Sequence, residues 1–261
     1  HNARLMPNLS PLLLTALLAS PFFAALLLAL MPGAGRRTSA LIAGGGAVLG
    51  LSALLALGPQ VFAGEVPRVS AEWLPQLGLA FSLRLDGFAW MFALLVLGIG
   101  ALIVLYAHWY LSPDDPPQRF FASLMLFMGA MLGVVVAGNL LLLVVFWELT
   151  SVASFLLIGY WNHRREARRG ARMALAITGA GGLALLAGVL MIGQVVGSFE
   201  LDVVLASGEL IKNSGLYGPI LACVLLGAFA KSAQFPLHFW LPQAMAAPTP
   251  VSAYLHSATM V

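Results

Sequence analysis

Seven apolar segments, each long enough to cross a lipid bilayer, recur along the chain and restrict it to one class of fold. A transmembrane helix needs about 20 consecutive, predominantly apolar residues. Runs of this kind occupy 10–31, 39–62, 86–108, 119–138, 139–161, 170–194 and 217–241, and an eighth begins near Pro248. Charged residues make up only 9% of the chain, whereas soluble domains carry about 25%. The pattern predicts an all-α polytopic membrane protein.

Composition and motifs argue against several other classes of protein. The basic residues gather in one loop without interleaved aromatic residues, which disfavours nucleic-acid binding. The single cysteine, Cys223, lies in an apolar run, so neither a disulfide framework nor a cysteine-based metal site is expected. The glycine-rich runs follow no predicted strand and lead to no Lys-Ser/Thr pair, which disfavours a phosphate-binding loop. We therefore expect no cofactor and no metal.

The distribution of positive charge predicts the orientation of the helices. If the N-terminus lies outside, four basic residues fall in the outer segments and eight in the inner loops. The inner eight are Arg36, Arg37, Arg119, Arg164, Arg165, Arg168, Arg169 and Arg172. Because cytoplasmic loops carry the excess of Lys and Arg, we expect the N-terminus outside and the loop between the fifth and sixth helices in the cytoplasm.

Two external segments are too polar to cross the bilayer. Residues 66–85 are interrupted by proline, and they end in alternating apolar and polar residues. This alternation predicts a short surface strand or hairpin. Residues 199–214 have the pattern of an amphipathic helix that lies at the outer interface.

Lys231 is an isolated charge in the seventh apolar run, and Pro236 follows it five residues later. A charge at membrane depth costs about 2.5–3.5 kcal/mol on insertion scales, so it usually serves a function. Proline has no N–H to donate and its ring crowds the carbonyl of Ser232, so we expect the helix to kink or open beside Lys231. A buried amine beside opened backbone is typical of ion paths in transporters.

Lys231, Gln234 and His238 are spaced at i, i+3 and i+7, so they form one polar stripe if helical geometry survives the proline. An interhelical hydrogen bond is the simpler interpretation of Gln234. His238 lies near the cytoplasmic end, where an interfacial position also accounts for it.

Glu148 lies near the centre of the fifth span, and Ser151 shares its face one turn later. It is the only acidic residue at a depth that matches Lys231. Burial disfavours the charged form of both groups, whereas pairing favours it. A pair balanced between these effects would change protonation when a nearby charge arrives or leaves. The alternatives are a neutral carboxyl that only forms a hydrogen bond and a purely structural salt bridge.

His256 is the third titratable group at similar depth, with Ser252 and Thr259 on the same helical face. A lone histidine in an apolar region is more often a satisfied hydrogen-bonding group than a relay. Here the flanking hydroxyls, and the tendency of imidazole to change charge near neutral pH, favour a role in passing protons.

Two stretches resemble a known family. HFWLPQAMAAPTPVSAYLHSATMV, at 238–261, resembles the signature of the proton-conducting subunits shared by respiratory complex I and Mrp-type cation/proton antiporters. FWELTSVASFLLIGYW, at 146–161, is most similar to the A subunit of the Mrp antiporter. The resemblance covers about 84–261. It implies an antiporter-like helix bundle of inverted five-helix repeats, each with a broken helix.

The resemblance also implies a domain division and a role for three residues. Residues 1–108 would hold three N-terminal helices with an external loop. Residues 109–261 would hold helices 4–8 of the first repeat, the eighth truncated. In the family the acid of the WEL motif, here Glu148, pairs with the lysine before the broken-helix proline, here Lys231. The histidine of LHSATM, here His256, lies on the central hydrophilic axis.

We therefore expect a subunit of a secondary antiporter that exchanges Na⁺, or another monovalent cation such as K⁺ or Li⁺, for H⁺ in a bacterial cell membrane. Its partners would be the other membrane subunits of the complex, and it would not itself be an enzyme. The alternative is a proton-pumping membrane subunit of complex I or of a membrane-bound hydrogenase. A third, weaker interpretation is an inert scaffold whose buried polar groups only join helices. The second half-channel of the family is absent from these residues, which would then be part of a longer subunit.

Overall fold

Six long helices make up most of the described chain, and each is long and apolar enough to cross a membrane. The computed structural model describes residues 6–259, with side chains over 9–256. The six helices are α1 (Met6–Leu30), α2 (Arg36–Phe62), α3 (Gly87–Tyr110), α4 (Pro117–Val136), α5 (Leu140–Ile158) and α6 (Arg165–Val196). The predicted all-α membrane fold is confirmed, and each long helix overlaps the span predicted at its position.

Shorter elements complete the fold. Two strands, β1 (Arg68–Leu74) and β2 (Leu79–Arg84), lie between α2 and α3. After α6 the chain forms α7 (Leu201–Ala206), α8 (Gly208–Lys212), α9 (Tyr217–Lys231), α10 (Trp240–Ala244) and α11 (Thr249–Thr259). The predicted seventh span over 217–241 is therefore divided between α9 and α10.

The helices pack around α4, which forms the centre of the core. α4 contacts α1, α2, α3 and α5, and α6 extends the bundle between α5 and α9. Phe120, Phe121 and Phe127 of α4 are buried. Large apolar side chains such as Leu41 and Leu102 are exposed on the outer faces of α2 and α3. Exposed apolar surface of this extent is expected of helices that face lipid.

The predicted hairpin between α2 and α3 is confirmed. β1 and β2 are antiparallel, with Arg68 opposite Arg84 and Ser70 opposite Ser82. Gly78, in the turn between them, has a φ of 68°, a left-handed conformation that glycine adopts without a Cβ penalty. The N–H of Gly138 donates to the Ser82 carbonyl at 2.7 Å, which fixes the hairpin against the start of α5.

Asn139 joins three elements at one end of the bundle, where α5 begins. Its side-chain oxygen accepts the N–H groups of Leu141 and Leu142 at 3.0 and 3.3 Å, which caps the helix. Its amide nitrogen donates to the Gly78 carbonyl at 3.1 Å and to the Glu200 carboxylate at 2.9 Å. The axial position of α5 is therefore tied to the hairpin and to the segment before α7.

The segment 199–214 forms two short helices rather than the single amphipathic helix predicted. α7 ends at Ala206, and α8 begins at Gly208. The hydroxyl of Ser207 donates to the Val203 carbonyl at 2.8 Å, so it competes with the backbone for hydrogen bonds. Glycine has a low helix propensity. Together these two residues explain the interruption.

The arginine-rich loops meet at the opposite end of the bundle. Arg36 donates to the Leu111 carbonyl at 2.8 Å. The Tyr160 hydroxyl donates to the Pro116 carbonyl at 3.1 Å, and the Trp161 indole donates to Asp115 at 2.9 Å. The loops predicted to share the inner side therefore do lie at the same end of the molecule.

The predicted break beside Lys231 is confirmed. α9 ends at Lys231, and Ala233 has a φ of 53°. The N–H of Gln234 donates to the Phe229 carbonyl at 2.9 Å, the bond expected where a left-handed residue terminates a helix. The Trp240 indole donates to the Ala230 carbonyl at 2.9 Å. A 3₁₀ turn at Leu237–Phe239 then leads into α10.

The polar stripe of Lys231, Gln234 and His238 is not formed, because helical geometry ends before Gln234. The side chain of Gln234 is exposed, and within the part of the chain that the structure describes it does not make the interhelical hydrogen bond that we expected. His238 lies in the 3₁₀ turn rather than two turns beyond Lys231 on a continuous α-helix. The break is a full interruption and not a kink.

We expect replacement of Ala233 by glycine to stabilise the protein. A non-glycine residue with left-handed backbone is disfavoured by about 1–2 kcal/mol, and part of this is offset by the greater entropy of glycine in the unfolded chain. A net gain of roughly 0.5–1 kcal/mol is expected, measured as a higher unfolding temperature in detergent. Ala222→Gly is the control. It lies in the interior of α9, where glycine should destabilise by about 1 kcal/mol. Equal shifts for both variants would contradict the prediction.

Candidate functional site

The amine of Lys231 is held by one turn of α5. It donates to the Thr150 hydroxyl, to the Ser151 hydroxyl at 3.2 Å and to the Trp147 carbonyl at 3.4 Å. Thr150 and Ser151 are 0% and 1% exposed. Lys231 is also the last residue of α9, where the negative end of the helix dipole favours a cation. The site therefore supplies oxygen acceptors and a favourable potential to a buried ammonium group.

Glu148 lies on the same turn of α5, but its carboxylate faces α6 at Gly182. Within the described chain, it forms no ion pair with Lys231, and its Oε1 is buried without a hydrogen-bond partner. The direct contact that the sequence suggested is therefore absent from this structure. The reason is geometric, since Thr150 and Ser151 occupy the face toward α9 and Glu148 lies to its side.

Sequence reasoning identified Ser151 but missed Thr150 and the carbonyl of Trp147. The Thr150 hydroxyl also donates to the Trp147 carbonyl at 2.6 Å. The Ser154 hydroxyl donates to the Thr150 carbonyl at 2.7 Å. The spacing of Thr150, Ser151 and Ser154 was the available signal, because it places three hydroxyls on one side of an otherwise apolar helix.

If the chain takes part in the cation/proton exchange that its sequence predicts, we expect Thr150→Val to reduce this exchange without preventing folding. Valine has nearly the same shape but removes one of the three acceptors of the Lys231 amine. A hydrogen bond to a charged group contributes about 1.5–3 kcal/mol, so a loss of roughly tenfold is expected in cation-dependent proton exchange by membrane vesicles. Thr178→Val is the matched control, since its buried hydroxyl donates only within α6, to the Ala174 carbonyl. Equal effects of the two substitutions would contradict a specific role for Thr150.

The residues after the break occupy different environments. The Ser232 hydroxyl donates to the Ala228 carbonyl at 2.7 Å. Pro236 is exposed. The ring of His238 lies 5.7 Å from that of Phe235 and 4.5 Å from that of Phe239. Its Nδ1 is buried without a hydrogen-bond partner among the described residues. Among the described residues, none of these three side chains hydrogen-bonds to the polar face of α5, to which the Lys231 amine donates.

His256 lies on α11, which contacts α3 and α5. Its Nδ1 lies within hydrogen-bond distance of the Ser252 carbonyl one turn earlier, a bond that forms in the tautomer with a proton on Nδ1. The Ser252 hydroxyl donates to the sulfur of Met245 at 3.4 Å. The side chain of Thr259 lies outside the described residues. The structure thus places His256 on a helix that contacts α5, the helix of Glu148.

A cavity of about 510 Å³ opens at the arginine-rich end, between the start of α6 and α10. Its lining consists of Glu166, Arg169, Pro242, Gln243, Met245 and Ala246. None of the predicted site residues lines it. Among the described residues there is also no cluster of three His, Cys, Asp or Glu side chains that could hold a metal ion.

Two family models match the chain. Residues 73–121 match the model described as NADH-ubiquinone oxidoreductase (complex I), chain 5 N-terminus. Residues 137–261, which contain Glu148, Lys231 and His256, match the model described as NADH:quinone oxidoreductase/Mrp antiporter, TM. The predicted resemblance to this superfamily is confirmed.

Curated relatives distinguish between the branches of the superfamily. A probable K(+)/H(+) antiporter A/B subunit of Rhizobium meliloti is 57% identical over 95% of this chain and 25% of its own length. The chain belongs to the family of Mrp antiporter A subunits. The A subunit of the Na(+)/H(+) antiporter of Alkalihalophilus pseudofirmus is 50% identical over 76% of this chain and 25% of its own length. The chain thus spans about a quarter of the length of these Mrp relatives.

Solved structures agree with the assignment to the Mrp family. The Mrp complex from Dietzia sp. contains a chain that is 32% identical, with a TM-score of 0.81, over 95% of this chain and 27% of that one. An archaeal membrane-bound sulfane sulfur reductase contains a chain that is 22% identical, with a TM-score of 0.79, over 97% of this chain and 51% of that one. The second likeness shows only that the fold is shared.

Proposed function

We propose that this chain forms a proton path in a multi-subunit antiporter that exchanges Na⁺, or another monovalent cation, for H⁺. The position of Lys231 is the observation that carries the proposal. A buried amine ends the broken helix α9, and the hydroxyl groups of α5 hold it. The relatives named as parts of Na(+)/H(+) and K(+)/H(+) antiporters support the reaction and the choice of cation.

In the proposed mechanism, Lys231 gains and loses the proton. The charged ammonium group has three N–H donors, and α5 offers three oxygen acceptors. After the proton leaves, the amine can accept a hydrogen bond from the Thr150 hydroxyl, because a hydroxyl both donates and accepts. The same side chains can therefore bind both protonation states of the amine.

Glu148 and His256 complete the proposed path. A negative charge on Glu148 favours the protonated amine, because the two groups interact through a medium of low dielectric constant. Protonation of Glu148 removes this stabilisation and releases the proton from Lys231. His256 would then pass it along the membrane midplane, with Ser252 and Thr259 as neighbouring hydroxyl groups. The remainder of the longer subunit, of which these residues would form a part, would supply the second half-channel.

The proposal includes an orientation and a division of the chain. The N-terminus would lie outside the bacterial cell membrane, because the eight arginines of the inner loops would then face the cytoplasm. Residues 1–108 would hold the three N-terminal helices, and residues 109–261 would form the first antiporter repeat.

Exchange by the complete antiporter in everted membrane vesicles tests the proposal. The cation-dependent pH change across the vesicle membrane is the measured quantity. Substitution of Lys231 or Glu148 should remove it, and normal exchange in either variant would reject the mechanism.

A second candidate is a proton-pumping membrane subunit of complex I or of a related hydrogenase. The description of the family model over 137–261 names NADH:quinone oxidoreductase as well as the Mrp antiporter, and the fold is shared with an archaeal respiratory membrane complex. NADH oxidation by the purified complex would favour this candidate. Exchange that depends on Na⁺ or K⁺ without a redox substrate would favour the antiporter.

A further inference from the structure

Gly182 of α6 faces the carboxyl group of Glu148. A methyl group built on Gly182 would overlap Oε1 of Glu148 and would lie 2.7 Å from its carboxyl carbon. It would also lie 3.4 Å from the Trp147 ring. Gly182 is itself buried. No residue with a Cβ fits at position 182 while Glu148 keeps this conformation.

Gly181, the adjacent glycine, faces α9 rather than α5. A methyl group on Gly181 would overlap the Cβ of Ala230, which directly precedes Lys231 in α9. α6 therefore packs against both α5, which carries the carboxyl, and α9, which carries the amine. The two successive glycines allow both helices to approach α6 closely. Gly181 serves helix packing, whereas Gly182 accommodates a titratable side chain.

The Glu148 carboxyl occupies the space beside Gly182 and forms no ion pair with the Lys231 amine among the described residues. Oε1 of Glu148 is buried and has no hydrogen-bond partner among the described residues. The Lys231 amine binds oxygen atoms of Thr150, Ser151 and Trp147 instead. A buried ion pair would favour the charged form of both partners. Separation leaves each group able to change its charge.

We propose that Gly182 is a positioning residue for exchange, because it provides the recess that keeps the Glu148 carboxyl apart from the Lys231 amine. This inference rests on the proposed function, since it assumes that both groups lie on the proton path. A side chain at position 182 would displace the carboxyl toward the polar face of α5. There it would form a salt bridge with Lys231 and hold both groups in their charged forms.

The test is Gly182→Ala in the complete antiporter, measured as cation-dependent pH change in everted vesicles. Displacement of a reacting group by about 1 Å can reduce a rate by about 100-fold, so a loss of at least tenfold is expected. Gly179→Ala is the matched control, one turn earlier on α6. Its methyl group would lie 4.0 Å from Oε2 of Glu148, an ordinary van der Waals distance, so exchange should stay within about twofold of the unsubstituted protein.

A second variant distinguishes positioning from general damage to packing. Aspartate is one methylene shorter than glutamate, so Glu148→Asp relieves the overlap with a methyl group at position 182. The double variant E148D/G182A should therefore exchange as fast as E148D alone, a non-additive result expected only for groups in contact. If G182A prevents assembly of the complex, E148D should restore the assembled fraction, measured by size-exclusion chromatography.

Two results would overturn the inference. One is exchange by G182A equal to that of G179A. The other is an E148D/G182A variant in which the loss of exchange, or of assembled complex, equals the product of the losses in the two single variants. Glu148→Gln separates this inference from the proposed function. If E148Q loses exchange while G182A keeps it, only the role of Gly182 fails, whereas full exchange by E148Q rejects the proposed function.

Discussion

Replacement of Lys231 by alanine is expected to abolish cation-dependent proton exchange. The substitution removes the amine that the Thr150 and Ser151 hydroxyls bind at the end of α9. A group that transfers protons in the rate-limiting step contributes roughly 100- to 10,000-fold, so residual exchange should be close to the background of the assay. The measurement is the pH change that follows addition of Na⁺ or K⁺ to everted vesicles that contain the complete antiporter.

Two further lysine variants make this result specific. Lys212→Ala removes an exposed lysine of α8 that pairs with Glu209 at 2.8 Å. Such surface pairs contribute only about 0–1 kcal/mol to stability, so exchange should be unchanged. Lys231→Gln keeps hydrogen-bond donors in the site but cannot titrate. A scaffold role predicts normal exchange in K231Q, whereas a proton path predicts its loss.

Glu148→Gln is expected to produce the second large loss of exchange. Glutamine has nearly the same volume as glutamate, so it fits the recess beside Gly182. It removes both the negative charge that acts on Lys231 and the ability to bind a proton. We expect a loss of at least tenfold, because removal of a charge that interacts with a buried group costs several kcal/mol in a medium of low dielectric constant.

The matched control is Glu72→Gln, which neutralises an exposed carboxylate on strand β1. Exchange should remain normal in this variant, because exposed charges are screened by water and salt. The amounts of assembled E148Q and E72Q complexes should agree. Unchanged exchange by assembled E148Q would show that the carboxyl takes no part in proton transfer.

The long helices could be predicted from the sequence because each carries its own signal. An apolar run of sufficient length must satisfy its backbone hydrogen bonds internally, so it becomes a helix whatever its neighbours are. The break after Lys231 also has a local signal, because Pro236 cannot continue a helix. The hairpin followed from the polar, proline-interrupted segment around β1 and β2. These features depend on local chemistry.

The orientation of side chains in the site could not be predicted in this way. The spacing of Glu148 and Ser151 placed them on one face, but the direction of the carboxyl depends on the missing Cβ at Gly182, 34 positions later in the chain. The prediction that Gln234 forms an interhelical hydrogen bond was wrong for a related reason. The predicted stripe of Lys231, Gln234 and His238 requires a continuous helix, whereas the backbone becomes left-handed at Ala233.

The hydrogen bond from the Trp240 indole to the Ala230 carbonyl links α9 to α10 across the interruption between them. Ala230 is the residue before Lys231, and Trp240 begins the helix on the far side of the gap. Any movement of that second helix must either break this bond or pull on the turn that bears the amine. Motion of α10 near the arginine-rich end can therefore alter the alignment of the Lys231 amine with its hydroxyl partners on α5.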